Sequence, residues 1–384
     1  VTALRRWVLI GDAESPHLLK WTRGLSSSGR VDLWVASSRG FDVGFDAVVP
    51  PARRLSLGHR SRHGGGNVDL LRHLPTLGRW LAAVDADVLH AHYLTSHGTL
   101  AWLARRLWRL RGALVASAWG SDILVTPRRS VAARVATRSV LRASLLATSD
   151  SAHMADAMRA LGAREVMTFP FGLDRLPAVS GGVDREPWLF YANRSLEPLY
   201  RPARVLALFS EVAARQPSAR LVVAGDGSMR HALELQAAAG VLAGRVAFVG
   251  RLAPEAQAHW YWRARWFLSL PASDSVAVSV LEAMAHGAVP VLSDLPANRE
   301  LVRDGENGLI VPGPAGSTVS ASAVAADAGL APVVNRMAAF LPQADSAAAA
   351  NRAWVADHGL FTPAVERFLD RVDALHAPGP RRPA

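Results

Sequence analysis

The chain has 384 residues, half of them apolar, with 43 basic against 32 acidic side chains and a formal net charge of +11. That length and apolar content suit two domains with sizeable cores. The lack of cysteine excludes a disulfide framework, a thiol nucleophile and a cysteine-ligated zinc, and there is no run of about twenty apolar residues to span a membrane.

Short apolar runs alternate with helical periods from the start of the chain, the pattern of a parallel α/β architecture. The opening VTALRRWVLIGD enters a strand directly, with too little apolar length and no cleavage site for a signal peptide, so a soluble cytoplasmic protein is expected. In the first half, strands are expected at 7–10, 31–36, 46–49, 87–91, 113–117, 144–147 and 166–169. Helices are expected near 16–28, 68–83, 97–110, 129–140 and 151–160. The Pro/Gly-rich PFGLDRLPAVSGGVDREP has no periodicity and reads as a linker between domains. These boundaries predict a first domain over 1–170, a linker over 171–187 and a second domain over 188–360.

The alternation then restarts. Strands are expected at 188–192, 219–225, 245–250, 266–270, 289–293 and 308–311, with helices near 201–214, 228–239, 254–263, 278–286 and 297–302. The Ala-rich tail suggests helices near 343–357 and 362–375, and the low-complexity stretch 313–329 reads as a loop or weak helix. Two doubly wound halves imply a ligand at the carboxyl ends of the strands.

The most informative block is PASDSVAVSVLEAMAHGAVPVLSDLPANRELVRDGENGLIVP, residues 271–312. Asp274 and Glu282 stand seven residues apart around a short Ser/Val entry into a helix that stops at Gly287. A helix beginning near Val278 offers unpaired amides at Val278 and Ser279 and the positive end of its dipole, a natural phosphate site. Asp274, in the preceding loop, can reach a sugar hydroxyl, and Glu282, about one turn in, can accept from a ribose diol. On spacing alone, an N-cap followed by a solvated glutamate is an equal alternative.

The block resembles the E-x7-E region of retaining glycosyltransferases of family 4, which have the GT-B fold. The resemblance implies an α/β protein of two doubly wound Rossmann-like domains facing a central cleft. It also implies a last helix, within 361–384, crossing back to the first domain, and transfer of a sugar from a nucleoside diphosphate to an acceptor. Other motifs follow the family's order. AGDGSMRHALE holds Gly225, Asp226 and Gly227 at a strand end, where glycine lets backbone approach a ligand. VAFVGRLAPE follows with Arg251, and NRSLEPLYRP carries Arg194 where the family has a diphosphate-binding arginine. The family's nearby lysine is missing, and Arg201 stands in its neighbourhood with different geometry.

In the first half, GDAESPHLLKW ends a strand, and Gly11, Asp12, Ser15 and His17 are expected on the acceptor side. DVLHAHYLTSHGTLAWL resembles a family strand, with His92 expected in the cleft and His90 packed. In SAWGSDIL, Trp119 replaces a histidine common in the family; it offers a broad ring face to a sugar, and Asp122 is expected to cap the next helix. The expected catalytic set is therefore Asp274, Arg194, His92 and Trp119, with no metal or other cofactor.

The acceptor is not legible and is taken as a small metabolite or a glycan. The basic stretch 51–66 and the Trp/Arg-rich 99–112 offer a second possibility, contact with an anionic membrane and a lipid acceptor. The charge is nearly all arginine, with Lys20 the one lysine, which a GC-rich genome would also produce. No zinc-finger, RRM or KH signature accompanies it, so nucleic acid is not expected as a partner. An epimerase or hydrolase on the same fold, or a non-catalytic subunit, remain the other classes.

Overall fold

The computed structural model describes residues 4–59, 68–178, 184–313 and 329–376. The chain divides into two units, Val1–Phe169 with Phe361–Ala384, and Pro170–Leu360.

The first unit has seven strands: β1 (Arg5–Ala13), β2 (Val31–Phe41), β3 (Arg54–Ser56), β4 (Val88–His92), β5 (Ala113–Ser117), β6 (Leu146–Ser149) and β7 (Val166–Thr168). They lie in the order β3-β2-β1-β4-β5-β6-β7, and every pairing is parallel. β4 and β5 are buried at every position, as strands covered on both faces must be. The helix Phe361–Leu375 belongs to this unit. Its Phe361 and Phe368 pack edge-on against Trp21, each with ring centroids 5.1 Å away, and Arg30 pairs with Asp370 at 2.7 Å and Asp373 at 2.5 Å.

The second unit has six strands: β8 (Glu186–Ala192), β9 (Arg220–Ala224), β10 (Val246–Gly250), β11 (Ala264–Ser269), β12 (Val289–Ser293) and β13 (Leu309–Val311). Their order is β10-β9-β8-β11-β12-β13, again all parallel. Phe190, Trp266 and Leu268 bury one face of the sheet with helix residues such as Phe209 and Met337. Tyr191 and Phe267 bury the other with Leu281 and Met284. The helix Val278–His286 ends at Gly287, whose φ of 84° is left-handed; glycine makes that reversal without a Cβ penalty.

Most elements lie where the periodicity puts them, and the exceptions have local causes. Residues 46–49 form no strand. Asp42 instead caps a tight turn at Val43–Phe45, Pro50 and Pro51 follow, and Arg54 donates Nε to the Val49 carbonyl at 2.7 Å and pairs with Asp46 at 2.7 Å. Proline cannot donate to a ladder, and the arginine takes up the carbonyls that a strand would offer. Short helices at Ser121–Leu124 and Thr126–Arg129 and a longer one at Ala331–Phe340 were not expected. In the stretch taken as a linker, Leu173 bridges Leu360 and Gly172 lies against the Gly359 carbonyl, all within the second unit. Residues 60–67 of the basic stretch, nearly all of 313–329, and the tail from 377 lie outside the described residues. Among the described residues no helix is long and apolar enough to cross a membrane.

Candidate functional site

In each sheet the winding reverses between two central strands, β8 and β11 in the second unit and β1 and β4 in the first. Ligands of such sheets bind where these strands end. At the second unit's reversal, Arg194 leaves β8 and Asp274 leaves β11. Their side chains meet, Nη2 to Oδ2 at 2.6 Å, each about one-fifth exposed. The other end of the guanidinium donates to Ser279 Oγ at 3.2 Å, and its carbon sits 4.6 Å from the centre of the Tyr200 ring. Burial raises the Asp274 carboxyl above the ordinary aspartate range, while the Arg194 charge and the Ser275 amide pull it back.

The helix Val278–His286 begins as expected. Ala277 stands at its cap and carries no side-chain acceptor, so the amides of Val278 and Ser279 present the positive end of the dipole without a capping oxygen. One turn on, Glu282 accepts from the Tyr261 hydroxyl at 2.9 Å. Arg194, Asp274, Ser279 and Glu282 therefore share one strand-end region of this unit.

The glycines of AGDGS also meet the chain's own backbone. Gly225 has a φ of 144°, and a Cβ there would lie 2.8 Å from the Arg194 carbonyl oxygen; at Gly227 it would lie 2.6 Å from the Leu196 carbonyl oxygen. The close approach is to the chain's own backbone. Leu196 N donates to Asp226 O and Met229 N to Leu196 O, both at 3.0 Å, so the glycines clamp the loop that carries Arg194. Asp226 turns back on its neighbours, accepting from Gly227 N at 2.8 Å and pairing with Arg230 at 3.6 Å. Arg201 holds a left-handed backbone, φ 46°, just before the helix Pro202–Arg215, and Arg251 is exposed beyond β10.

The first unit's reversal is different in kind. Gly11 is buried, and a Cβ on it would meet Leu18 at 3.0 Å and His92 at 3.4 Å. Ser15 caps the helix Pro16–Ser27 by accepting from His17 N at 3.3 Å, with Pro16 pre-set at the first turn. Asp12 pairs with Arg39 at 3.6 Å. His17 is exposed, and its ring lies 4.7 Å from that of the half-buried Trp119.

His92 was expected in a cleft but is only 3% exposed. It sits among His90, Trp21 and Trp119 with centroids 4.4, 5.6 and 5.8 Å away, and both ring nitrogens are buried without a hydrogen-bond partner. The period-two pattern placed it on the right strand; the covering rings came from distant segments. Burial, reinforced by the neighbouring histidines, holds His92 well below its ordinary value. His90 is packed as expected, sharing a 2.7 Å hydrogen bond with Ser117 Oγ, and burial lowers it to about 3.

Asp122 does not cap its helix. Fully buried, it accepts from Leu94 N at 2.8 Å and Trp119 N at 2.9 Å, and so ties the loops after β4 and β5 together. Burial pushes it up to about 6. The basic segments offered to a membrane are partly engaged within the unit. Arg53 pairs with Asp32 at 2.7 Å, Arg105 donates to Gly112 O at 2.8 Å, and Trp108 covers Gly78 so closely that a Cβ there would lie 2.4 Å from the ring.

Sequence reasoning missed Tyr261, which donates to Glu282, and Asn193 and Gln257, which are hydrogen-bonded behind it. Tyr261 stands in the run HWYWR with nothing to single it out from its aromatic neighbours.

A glycosyl transferase 4-like domain matches residues 14–172, and the group 1 glycosyl transferase domain matches residues 177–325. The chain belongs to the GT-B glycosyltransferases of family 4. A relative within this family is a phosphatidyl-myo-inositol mannosyltransferase of Mycobacterium tuberculosis, 30% identical over 260 residues, 64% of this chain. The match spans 66% of that relative's length. Solved GT-B structures share the fold. Anabaena HepE, crystallised with UDP and glucose, superposes with a TM-score of 0.73 at 17% identity over 96% of this chain and 99% of its own. Sucrose-phosphate synthase of Thermosynechococcus elongatus does so with a TM-score of 0.74 at 14% identity, over 97% and 99%.

Proposed function

We propose that this family member is a retaining glycosyltransferase that moves a sugar from a nucleoside diphosphate onto an acceptor hydroxyl of a small molecule or glycan. The donor is held by the second unit. The observation that carries the reading is Arg194: one guanidinium bridges Asp274 and the first turn of the helix Val278–His286, 80 and 85 positions away in sequence.

The chemistry follows from that convergence. Breaking the bond between the anomeric carbon and the phosphate oxygen leaves negative charge on the diphosphate. Arg194 and the amides of Val278 and Ser279 are fixed donors aimed at one region, and such preorganised donors stabilise charge as it develops. Asp274 orients Arg194 and can accept from a sugar hydroxyl. As the anomeric carbon bonds to the acceptor oxygen, the acceptor proton passes to the departing phosphate, so no protein base is assigned. The positive charge comes from guanidinium groups and a helix end, and no metal is given a role.

The test is thermal unfolding with UDP, GDP, ADP and dTDP in turn. A nucleotide at about a hundred times its dissociation constant stabilises by roughly 2.7 kcal/mol, a shift of a few degrees. We expect a shift with at least one; none with any of the four removes the donor-site reading.

A further inference from the structure

Behind Glu282 lies a polar chain that the reaction above does not use. The Tyr261 hydroxyl donates to Glu282 Oε2 at 2.9 Å. It accepts from Asn193 Nδ2 at 2.7 Å, and the same amide donates to Gln257 Oε1 at 2.7 Å. Gln257 in turn donates to the Leu252 carbonyl at 3.2 Å, anchoring the chain on backbone. Tyr261 itself is 1% exposed. Its ring is wedged between Tyr191, Phe267 and His286, with centroids 5.0, 5.6 and 5.2 Å away.

A ring locked on three sides leaves its hydroxyl little choice of position. A part-buried glutamate one turn into a helix has several rotamers, and holding one of them costs side-chain entropy each time a ligand binds. A hydrogen bond from a buried phenol to a carboxylate is charge-assisted and selects one rotamer in advance. It also fixes which carboxylate oxygen, Oε2, faces the tyrosine. The segment that supplies Asn193 supplies Arg194 next to it, so the same strand end sets both the cation and the glutamate.

We infer that Tyr261 is a positioning residue for Glu282, fixing the carboxylate so that the site discriminates a ribose diol from a sugar lacking it. This rests on the reading of Glu282 as the ribose-binding carboxylate. Tyr261 touches no ligand itself; it acts through the orientation of its partner.

The experiment compares dissociation constants of UDP, GDP and ADP with those of their 2′,3′-dideoxy counterparts, for the full chain and for Tyr261→Phe. That substitution keeps the ring and removes one oxygen. For the nucleotide that binds tightest, the unaltered chain should prefer the ribose form by about tenfold, the scale of a hydrogen bond to a charged group. In Tyr261→Phe that preference should shrink to about twofold or less, with the dideoxy affinity unchanged. A preserved preference overturns the role of Tyr261 and leaves Glu282 standing. An equal loss for both forms also overturns it, since that marks a structural effect. No preference in the unaltered chain, with Glu282→Ala binding equally well, overturns the ribose reading and the inference with it. If Tyr261→Phe does not fold, Gln257→Ala loosens Asn193 instead. A partial loss of preference is then expected, and an unchanged preference overturns the inference.

Discussion

The two strand-end regions share one topology and differ in polarity. In the second unit the reversal point is charged and hydrogen-bonded: Arg194 is gripped by Asp274, Ser279 Oγ and the Tyr200 ring. In the first unit it is aromatic and buried, with neutral His90 and His92 packed among Trp7, Trp21, Trp119 and Phe368. The winding decides where a ligand sits; the side chains decide which ligand. A cationic pocket suits a diphosphate. On the proposed function, an aromatic region that includes the half-buried Trp119 would take the apolar face of a sugar or other acceptor.

The sharpest way to break this contrast is to remove the cation. Arg194→Ala should lower turnover by about 100- to 1,000-fold, the cost of losing a preorganised donor at developing charge. Steady-state rates at saturating donor would show it. Arg194→Lys should recover little of that loss, because a point charge cannot bridge Asp274 and Ser279 together. Near-normal turnover in Arg194→Ala would move the chemistry away from the second unit's strand ends.

Acid offers a second contrast. His90 and His97 are lowered by burial to about 3 and about 4, and His92 is lowered too. Each folded value lies below the unfolded one. The unfolded chain therefore takes up protons first, and the stability gained by burying neutral rings is complete above about pH 6.5 and lost as pH falls toward 4 and 3. Asp122 acts the other way. Raised to about 6 by burial, it costs stability above pH 6, and the cost is relieved on acidification. Three imidazoles outweigh one carboxyl. Between pH 7 and pH 5 the first unit should lose about 3 kcal/mol. Calorimetry at the two pH values, with a nucleotide to mark the second unit's transition, would measure it. Equal loss in both transitions would contradict the contrast.

The smallest effect should come from Trp119→Ala. It removes the ring beside His17 and His92 and should raise the acceptor's KM by about fivefold, a stacking contribution near 1 kcal/mol, with nucleotide affinity unchanged. A loss of nucleotide affinity instead would show that the aromatic region is not specialised for the acceptor.

Local pattern made most of the elements legible. The strand at 113–117 and the helix at 278–286 are where periodicity puts them, because alternation and helical spacing are properties of neighbours in sequence. The failures have the same root. The run at 46–49 reads as a strand until Arg54 claims the Val49 carbonyl and the prolines that follow withhold a ladder donor. Asp122 reads as a cap until Leu94 N, 28 positions away, appears beside it.

By itself the sequence determined the two parallel sheets, the helix that opens at Val278, and the pair Asp274 and Glu282 seven residues apart. Each depends on spacing along one segment, and local geometry turns spacing into direction. Only the tertiary structure decided that Arg194 bridges that segment, that Gly225 and Gly227 clamp the Arg194 loop, that His92 is sealed from solvent, and that Tyr261 stands behind Glu282. These depend on which strands become neighbours and on which groups share the same buried volume, and no local pattern encodes that choice.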